Sequence, residues 1–252
     1  MLVAAAVCPH PPLLVPEVMG AAGQRGSDMG EVLAACDAAV AGLAAAEPGL
    51  IVVVGGAAAS ADYDGSAAGS LREYGIRYAV GTGAPVLPLP LTVGSWLLRR
   101  AGLVPPEGPA AGPARPARPA RPGRRLWLRA VARATPAADC LRLGAAIARQ
   151  APRVAVLAMG DGPARKAVGA PGAADLAADS YHAEVAAALA GADPARLARL
   201  AASLDDELMV AGRAAWQVLA GAADGERLRG RLRCATARYE VSYLVASWDR
   251  RG

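Results

Sequence analysis

Three short apolar runs, rich in β-branched residues, constrain the fold most strongly. They cover residues 2–7, 50–54 and 154–158, and a turn containing Gly or Pro follows each one. Runs of this length bounded by turn residues are typical of strands buried on both faces of a sheet. No basic segment precedes the first run, so we expect a strand there rather than a signal peptide.

Segments with apolar residues at helical spacing separate and follow these runs. The predicted helices cover residues 31–46, 93–101, 137–150, 174–190, 194–201 and 204–222, and residues 228–248 have the pattern of a closing strand. Strands that alternate with helices predict a single α/β domain over residues 1–252. We expect a central, mostly parallel, mixed sheet with helices on both faces, and ligand sites at the carboxyl ends of its strands.

Residues 108–125 form a segment of a different kind, in which Ala-Arg-Pro occurs three times. Proline blocks helix and ladder hydrogen bonds, which predicts a disordered loop inserted in the domain. The arginines of this loop equal the whole formal charge of +5: Arg115, Arg118, Arg121, Arg124 and Arg125. The loop is either an RNA-binding arm or a tolerated surface insertion. Because no aromatic residue interrupts the repeats, nucleic acid is not expected as a partner.

Composition excludes several classes of protein. No apolar run reaches the roughly 18 residues that a membrane span needs, and we expect a cytoplasmic protein. The four cysteines are scattered without a Cys-x-x-Cys pair, which argues against a zinc ribbon and a disulfide framework. Cys36, Cys140 and Cys234 lie among apolar or small residues and are expected to pack in the core.

The segment after the first predicted strand is Cys8-Pro9-His10-Pro11-Pro12. Prolines on both sides of His10 fix the loop and aim the imidazole, as a metal-binding ring requires. Two interpretations remain open: His10 binds a metal, or it anchors the loop through a hydrogen bond to the backbone.

This segment resembles the opening of the LigB-like class III extradiol dioxygenases, in which the corresponding histidine binds the active-site iron. Further segments resemble that family in the same order along the chain: residues 50–56, 158–162, 178–185, 211–223 and 239–248. The resemblance implies the catalytic-subunit fold, ring cleavage of a small catechol-type aromatic molecule, and a cofactor that is Fe(II) or another divalent transition metal. It also makes a homodimer possible, to which the Trp-bearing closing strand is suited.

The chain departs from this family at the iron site. The family binds Fe(II) through two histidines and a carboxylate, whereas this chain contains only His10 and His182. The family's acid/base histidine falls near Ala164, and its carboxylate falls near Val210. Two functions therefore stay open: a diverged metal-dependent oxygenase, or an inactive relative without a metal that serves as a binding or assembly module.

Two acidic residues are the candidates to complete the site. Glu207 lies about one helical turn before Val210 and is predicted to join His10 as a metal ligand. Asp161 follows the third predicted strand, where a carboxylate is well placed to act as a general base. The alternatives are a solvated helix face for Glu207 and a helix cap for Asp161.

Other residues offer weaker alternatives. Cys8 has the spacing from His10 that places two side chains on the same side of a regular strand, but it also suits the core. Asp62 and Asp64 can supply oxygen ligands or form a polar turn. His182 is expected to be an exposed or partly buried residue of a helix.

Overall fold

The structure of the chain is a computed structural model, which describes residues 1–16, 28–104, 124–164, 173–238 and 240–250. Most of the predicted Arg/Pro loop, residues 108–123, lies outside the described residues. The last residue of the predicted loop is not part of a loop, because Arg125 begins a strand.

The described elements are ten strands and six α-helices. The strands are β1 Leu2–Cys8, β2 Leu50–Ala57, β3 Ala61–Asp64, β4 Ala67–Ser70, β5 Ala79–Val80, β6 Thr82–Pro85, β7 Arg125–Ala132, β8 Val154–Met159, β9 Leu228–Arg238 and β10 Val241–Arg250. The helices are α1 Asp28–Ala45, α2 Leu89–Arg100, α3 Ala137–Ala148, α4 Ala173–Gly191, α5 Pro194–Ala198 and α6 Arg213–Ala223. Short 3-10 turns lie at Pro12–Leu14, Arg72–Tyr74 and Ala202–Leu204.

The main sheet has seven strands in the order β3-β7-β2-β8-β1-β10-β9. Its four central strands, β7, β2, β8 and β1, run parallel, and the outer strands pair antiparallel. Ala158 of β8 lies level with both Val7 and Val54. The three predicted strands therefore end at the same edge, which we call the carboxyl edge. The predicted mixed α/β sheet with helices on both faces is confirmed.

The sheet separates two apolar cores, because successive side chains of a strand point to opposite faces. Helices α3 to α6 cover one face, where Val54 and Val156 pack in the same core as Trp216. Helices α1 and α2 cover the other face, where Val53 and Leu157 are buried. The small sheet β5-β4-β6 follows β3 in the chain and precedes α2.

Two predicted elements need correction. The predicted helix over residues 204–222 begins only at Arg213, because residues 205–209 form turns and Met209 has a φ of 50°. The closing stretch 228–248 is not one strand but an antiparallel hairpin of β9 and β10. Among the described residues, no helix combines the length and the apolar character needed to cross a membrane.

Candidate functional site

The loop after β1 places His10 at the carboxyl edge. Pro9 has no N–H to continue the strand ladder, and Pro11 restricts His10 to extended backbone angles. The main-chain N–H of His10 therefore needs an acceptor outside regular secondary structure. It donates to Oδ1 of Asp161 at 2.8 Å, and this hydrogen bond joins the loops that follow β1 and β8.

The imidazole of His10 also faces Asp161. Its Nδ1 lies 3.6 Å from the same Oδ1, and the two side chains are only 9% and 16% exposed. Nδ1 is buried and has no hydrogen-bond partner among the described residues. A proton on Nδ1 would face the carboxylate, and Nε2 would then keep a lone pair that can accept a proton. This arrangement is suited to acid–base chemistry or to binding a hydrogen-bond donor.

Hydrogen bonds on several sides hold the loop that carries Asp161. Gly160 donates its N–H to the Cys8 carbonyl at 3.0 Å, and Gly162 donates to the Ser242 carbonyl at 2.9 Å. The Asp161 carbonyl accepts the N–H of Ala211 at 3.2 Å. Asp161 therefore does not cap a described helix, since its carboxylate binds the His10 loop. Its position is fixed by β1, β10 and the segment before α6.

Two glycines let the chain come close beneath this loop. A Cβ atom on Gly160 would lie 2.3 Å from the Cα of Gly212, at the start of α6. The indole of Trp216 packs on Gly212, with ring atoms 2.2 to 2.5 Å from the position of a Cβ there. Side chains at these two positions would therefore push α6 away from the carboxyl edge.

Arg213, the first residue of α6, organises the region beside this site. It is 1% exposed, and its Nε donates to Oδ2 of Asp205 at 2.5 Å. Its guanidinium also donates to the carbonyls of Thr135, at 3.3 Å, and of Arg133. A buried charge is tolerated only when it is paired and hydrogen-bonded in this way. Arg213 thereby ties the segment after β7 to the segment before α6.

The network continues one turn further along α6. Nη1 of Arg213 donates to Oε1 of Gln217 at 2.6 Å. The Gln217 amide donates to the carbonyls of Ala198 and Leu200 at 3.2 and 3.0 Å. Five acceptors are thus joined to a single helix, and they come from three places: the segment after β7, the end of α5 with the residues that follow it, and the turns before α6.

Two groups near this network have raised pKa values. Burial raises the pKa of the Asp205 carboxyl, and the Arg213 guanidinium opposes that shift. Burial, together with the charge of Asp205, also raises the pKa of the Tyr181 hydroxyl. Oδ1 of Asp205 and the hydroxyl of Tyr181 are buried without a hydrogen-bond partner among the described residues. Ionising either group, or leaving it without a hydrogen bond, therefore costs free energy.

Glu207 does not occupy the helix in which it was predicted. It is an exposed residue of the turns that precede α6. Among the described residues, no group of three or more His, Cys, Asp or Glu side chains could hold a metal ion. A three-ligand iron centre of the facial kind does not fit the donors described, and the His10–Glu207 metal site stays a prediction.

The weaker candidates have other roles. Cys8 is buried, and it adds to the raised pKa of the Cys36 thiol in α1, which burial chiefly causes. Asp62 of the outer strand β3 pairs with Arg129 of the neighbouring strand β7. Asp64 accepts hydrogen bonds from Ser66, which lower the pKa of its carboxyl. These contacts account for all three candidates without a metal.

The remaining expectations concern packing. Cys36 and Cys140 are buried as predicted, whereas Cys234 is half-buried. His182 is a half-buried residue of α4, as predicted. Trp248 gives no support to a homodimer, because its ring is 1% exposed and its Nε1 donates to the Leu189 carbonyl of the same chain at 2.8 Å.

The Arg213–Asp205 pair was not predicted as a functional feature. The one signal in the sequence is a charged residue within the otherwise apolar or small stretch that starts α6. An arginine in such a stretch must find a partner when the helix is buried. The partner is separated from it by turns, so periodicity alone does not identify Asp205.

A solved structure, described as the crystal structure of uncharacterized protein JW3007 from Escherichia coli K12, is similar to this chain. The two share 15% sequence identity over 98% of this chain and 99% of that chain, with a TM-score of 0.51. At this identity the similarity shows the fold alone. No protein-family model and no curated protein matches the chain.

Proposed function

We propose that this chain is an extradiol-dioxygenase-like protein that works without the family's three-ligand iron centre. In this proposal the carboxyl edge binds a small aromatic molecule, His10 makes the polar contact with it, and Asp161 holds His10 in place. The aromatic ligand class comes from the sequence resemblance to the LigB-like family. The polar contacts come from the site geometry.

The relation between His10 and Asp161 is the observation that carries the proposal. The carboxylate holds the His10 main chain at 2.8 Å and lies 3.6 Å from the imidazole. Both residues stand at the carboxyl ends of parallel strands, where ligands collect in open α/β sheets. A hydroxyl of a catechol-type ligand would donate a hydrogen bond to Nε2 of His10, while Asp161 maintains the orientation of the imidazole.

The donor set supports a binding role over iron chemistry. His10 and Asp161 supply one nitrogen ligand and one carboxylate, and the described residues provide no third donor in a cluster with them. Asp161 is already engaged by the His10 backbone. Without a complete facial triad, the residues in place can bind and orient a ligand and move a proton at His10.

The test combines metal content with ligand binding. Protein without a histidine tag is loaded with Fe(II) anaerobically and desalted, and its metal is measured by mass spectrometry. Catechol binding is then followed by saturation-transfer NMR in the wild type, His10→Ala and His182→Ala. We expect substoichiometric metal, catechol binding that is lost in His10→Ala, and binding near wild type in His182→Ala. The absence of catechol binding in the metal-free wild type would overturn the proposal.

The second candidate is the diverged metal-dependent oxygenase, with His10 and Glu207 as ligands and Asp161 as general base. The observation that favours it is that His10 lies two residues after the end of β1, and the sequence resemblance matches it to the family's metal-binding histidine. Near-stoichiometric iron that is lost in both His10→Ala and Glu207→Ala would establish this candidate. Screening catechols for ring cleavage would then follow.

A further inference from the structure

Strand β9 forms one end of the main sheet. It is 11 residues long, and among the described strands only β10 pairs with it. An end strand of this length presents a row of unpaired backbone N–H and C=O groups. The end of α4 covers one face of β9, since a Cβ on Gly230 would lie 2.6 Å from the Leu189 carbonyl oxygen.

Arginines line β9 at alternate positions. Arg229 and Arg231 lie opposite Asp249 and Ser247 of β10, and both arginines are exposed. Arg233 is half-buried and donates from Nε to Oγ of Ser247 at 2.9 Å. Side chains two residues apart on a strand are separated by about 7 Å, so Arg229 and Arg231 present two neighbouring positive charges. The pairing register of β9 with β10 shifts at Arg233.

The two exposed guanidiniums have no ion-pair partner among the described residues. Some arginines elsewhere on the surface are paired: Arg100 binds Asp37 with two hydrogen bonds of 2.8 and 2.9 Å. Arg250, near the end of β10, pairs with Glu226 at 3.1 Å. Arg229 and Arg231 therefore remain available to an incoming anionic group.

The sequence of β9, LRGRLRCATAR, contains no acidic residue. Pairing of β9 with the same strand of a second copy would bring arginines close to arginines. Like charges on neighbouring strands are destabilising. The charge pattern thus opposes self-association through this edge and favours a segment of opposite charge.

We propose that the outer edge of β9 binds an extended acidic segment of another protein as an added strand. Backbone hydrogen bonds to the edge supply affinity, and carboxylates at alternate positions of the segment pair with Arg229 and Arg231. A single-stranded nucleic acid fits this surface less well, because such strands stack on aromatic side chains. The sequence of β9 contains none.

The experiment uses the full chain and a fluorescein-labelled peptide of alternating Val and Glu residues. Fluorescence anisotropy should show saturable binding that weakens with added salt. Arg229→Glu/Arg231→Glu should weaken binding by on the order of tenfold or more, and the milder Arg229→Gln/Arg231→Gln by less. The matched control is Arg72→Glu/Arg77→Glu, which makes the same charge change at exposed arginines outside β9 and should leave binding near wild type.

Hydrogen exchange separates strand addition from simple charge attraction. We expect the Val/Glu peptide to slow exchange of β9 amides, because added-strand hydrogen bonds protect them. The proposal is overturned by unchanged β9 exchange, by equal binding of a Val/Lys peptide, or by full binding in Arg229→Glu/Arg231→Glu. Tighter binding of oligothymidylate than of the Val/Glu peptide would overturn it in favour of nucleic acid.

Discussion

The guanidinium of Arg213 and the carboxylate of Asp205 form an ion pair that is nearly closed to solvent. Nε and Oδ2 are 2.5 Å apart, and the two side chains are 1% and 12% exposed. The pair joins the start of α6 to the turns before it, beside the loop that carries Asp161. We therefore expect the shape of the carboxyl edge to depend on this contact.

Replacing Arg213 by Met should destabilise the protein by about 3–5 kcal/mol, because Asp205 would be left as a buried, unpaired carboxylate. The carbonyls of Thr135 and Arg133 would also lose their donor. Urea unfolding at pH 7 measures the change. The additional substitution Asp205→Leu should recover part of the loss, since it removes the unpaired charge.

The matched control for this prediction is Arg142→Met. Arg142 also pairs with an aspartate, Asp139, but the two side chains are 74% and 45% exposed. Exposed pairs contribute about 1 kcal/mol or less. A loss in Arg213→Met no greater than that in Arg142→Met would show that the buried pair does not hold the edge.

Tyr181→Phe should leave stability unchanged at pH 7 or raise it by up to about 1 kcal/mol. The reason is that the hydroxyl is buried without a hydrogen-bond partner among the described residues. A loss of more than about 1 kcal/mol would mean that the hydroxyl has a partner in the folded chain. Urea unfolding measures the change, with Tyr74→Phe at an exposed position as the control.

The same variant should flatten the alkaline pH dependence of stability. Burial raises the pKa of Tyr181 in the folded state, so above about pH 10 the unfolded state loses the proton first. The unfolded state then binds fewer protons than the folded state, and the free energy of unfolding falls as pH rises. Because Tyr181→Phe lacks this group, its stability should fall less steeply than that of the wild type above about pH 10. If stability fell equally steeply with pH in the wild type and in Tyr181→Phe, this would contradict the raised pKa of Tyr181.

Several strands were predictable because their physical cause is local. The runs at 2–7, 50–54 and 154–158 are continuous and apolar since β1, β2 and β8 are buried on both faces. Strand β7 was missed because half of its residues are only partly buried, and it directly follows the Arg/Pro segment. Its sequence, RLWLRAVA, has Arg at positions 125 and 129, so its apolar runs are only three residues long.

The positions of His10 and Asp161 were also predictable, because each residue follows a predicted strand. Parallel strands end at one edge, which brings His10 and Asp161 together. The predicted helix over 204–222 was wrong because it required residues 204–212 to continue α6 toward its N-terminus. Met209 instead adopts a positive φ of 50°, a conformation that favours Gly. Because residue 209 is Met and not Gly, the sequence gives no sign of this turn. Glu207 and Asp205 were therefore wrongly placed in a helix.

Asp161→Ala should destabilise the protein by about 1–3 kcal/mol, because the N–H of His10 would lose its acceptor in a nearly buried site. Asp161→Asn keeps an acceptor oxygen and should cost about 1 kcal/mol or less. Urea unfolding gives the energies, and exchange of the His10 amide should be faster in Asp161→Ala alone. Asp206→Ala, at an exposed position, is the control. Equal stability of the Ala and Asn variants would argue against this hydrogen bond.

The contact between α3 and α6 depends on two glycines. A Cβ on Gly144 would lie 2.0 Å from the Val218 carbonyl oxygen, and a Cβ on Gly221 would lie 2.1 Å from the Leu141 carbonyl oxygen. Backbone atoms on both helices must move to admit a methyl group. Gly144→Ala should therefore destabilise the protein by about 1–3 kcal/mol or more. Since α6 carries Arg213, the same change should also weaken the proposed binding of catechol at the carboxyl edge.

Gly42→Ala provides the matched control, because Gly42 lies in α1 and a Cβ there would meet nothing within 4 Å. The substitution should stabilise the protein by about 0.5–1 kcal/mol, since alanine restricts the unfolded chain and favours the helix. Urea unfolding gives the change in the free energy of unfolding for each variant. The two changes should have opposite signs if Gly144 is required by the close contact between helices and not by helix propensity. Stabilisation by both substitutions would show that α3 and α6 can separate at little cost.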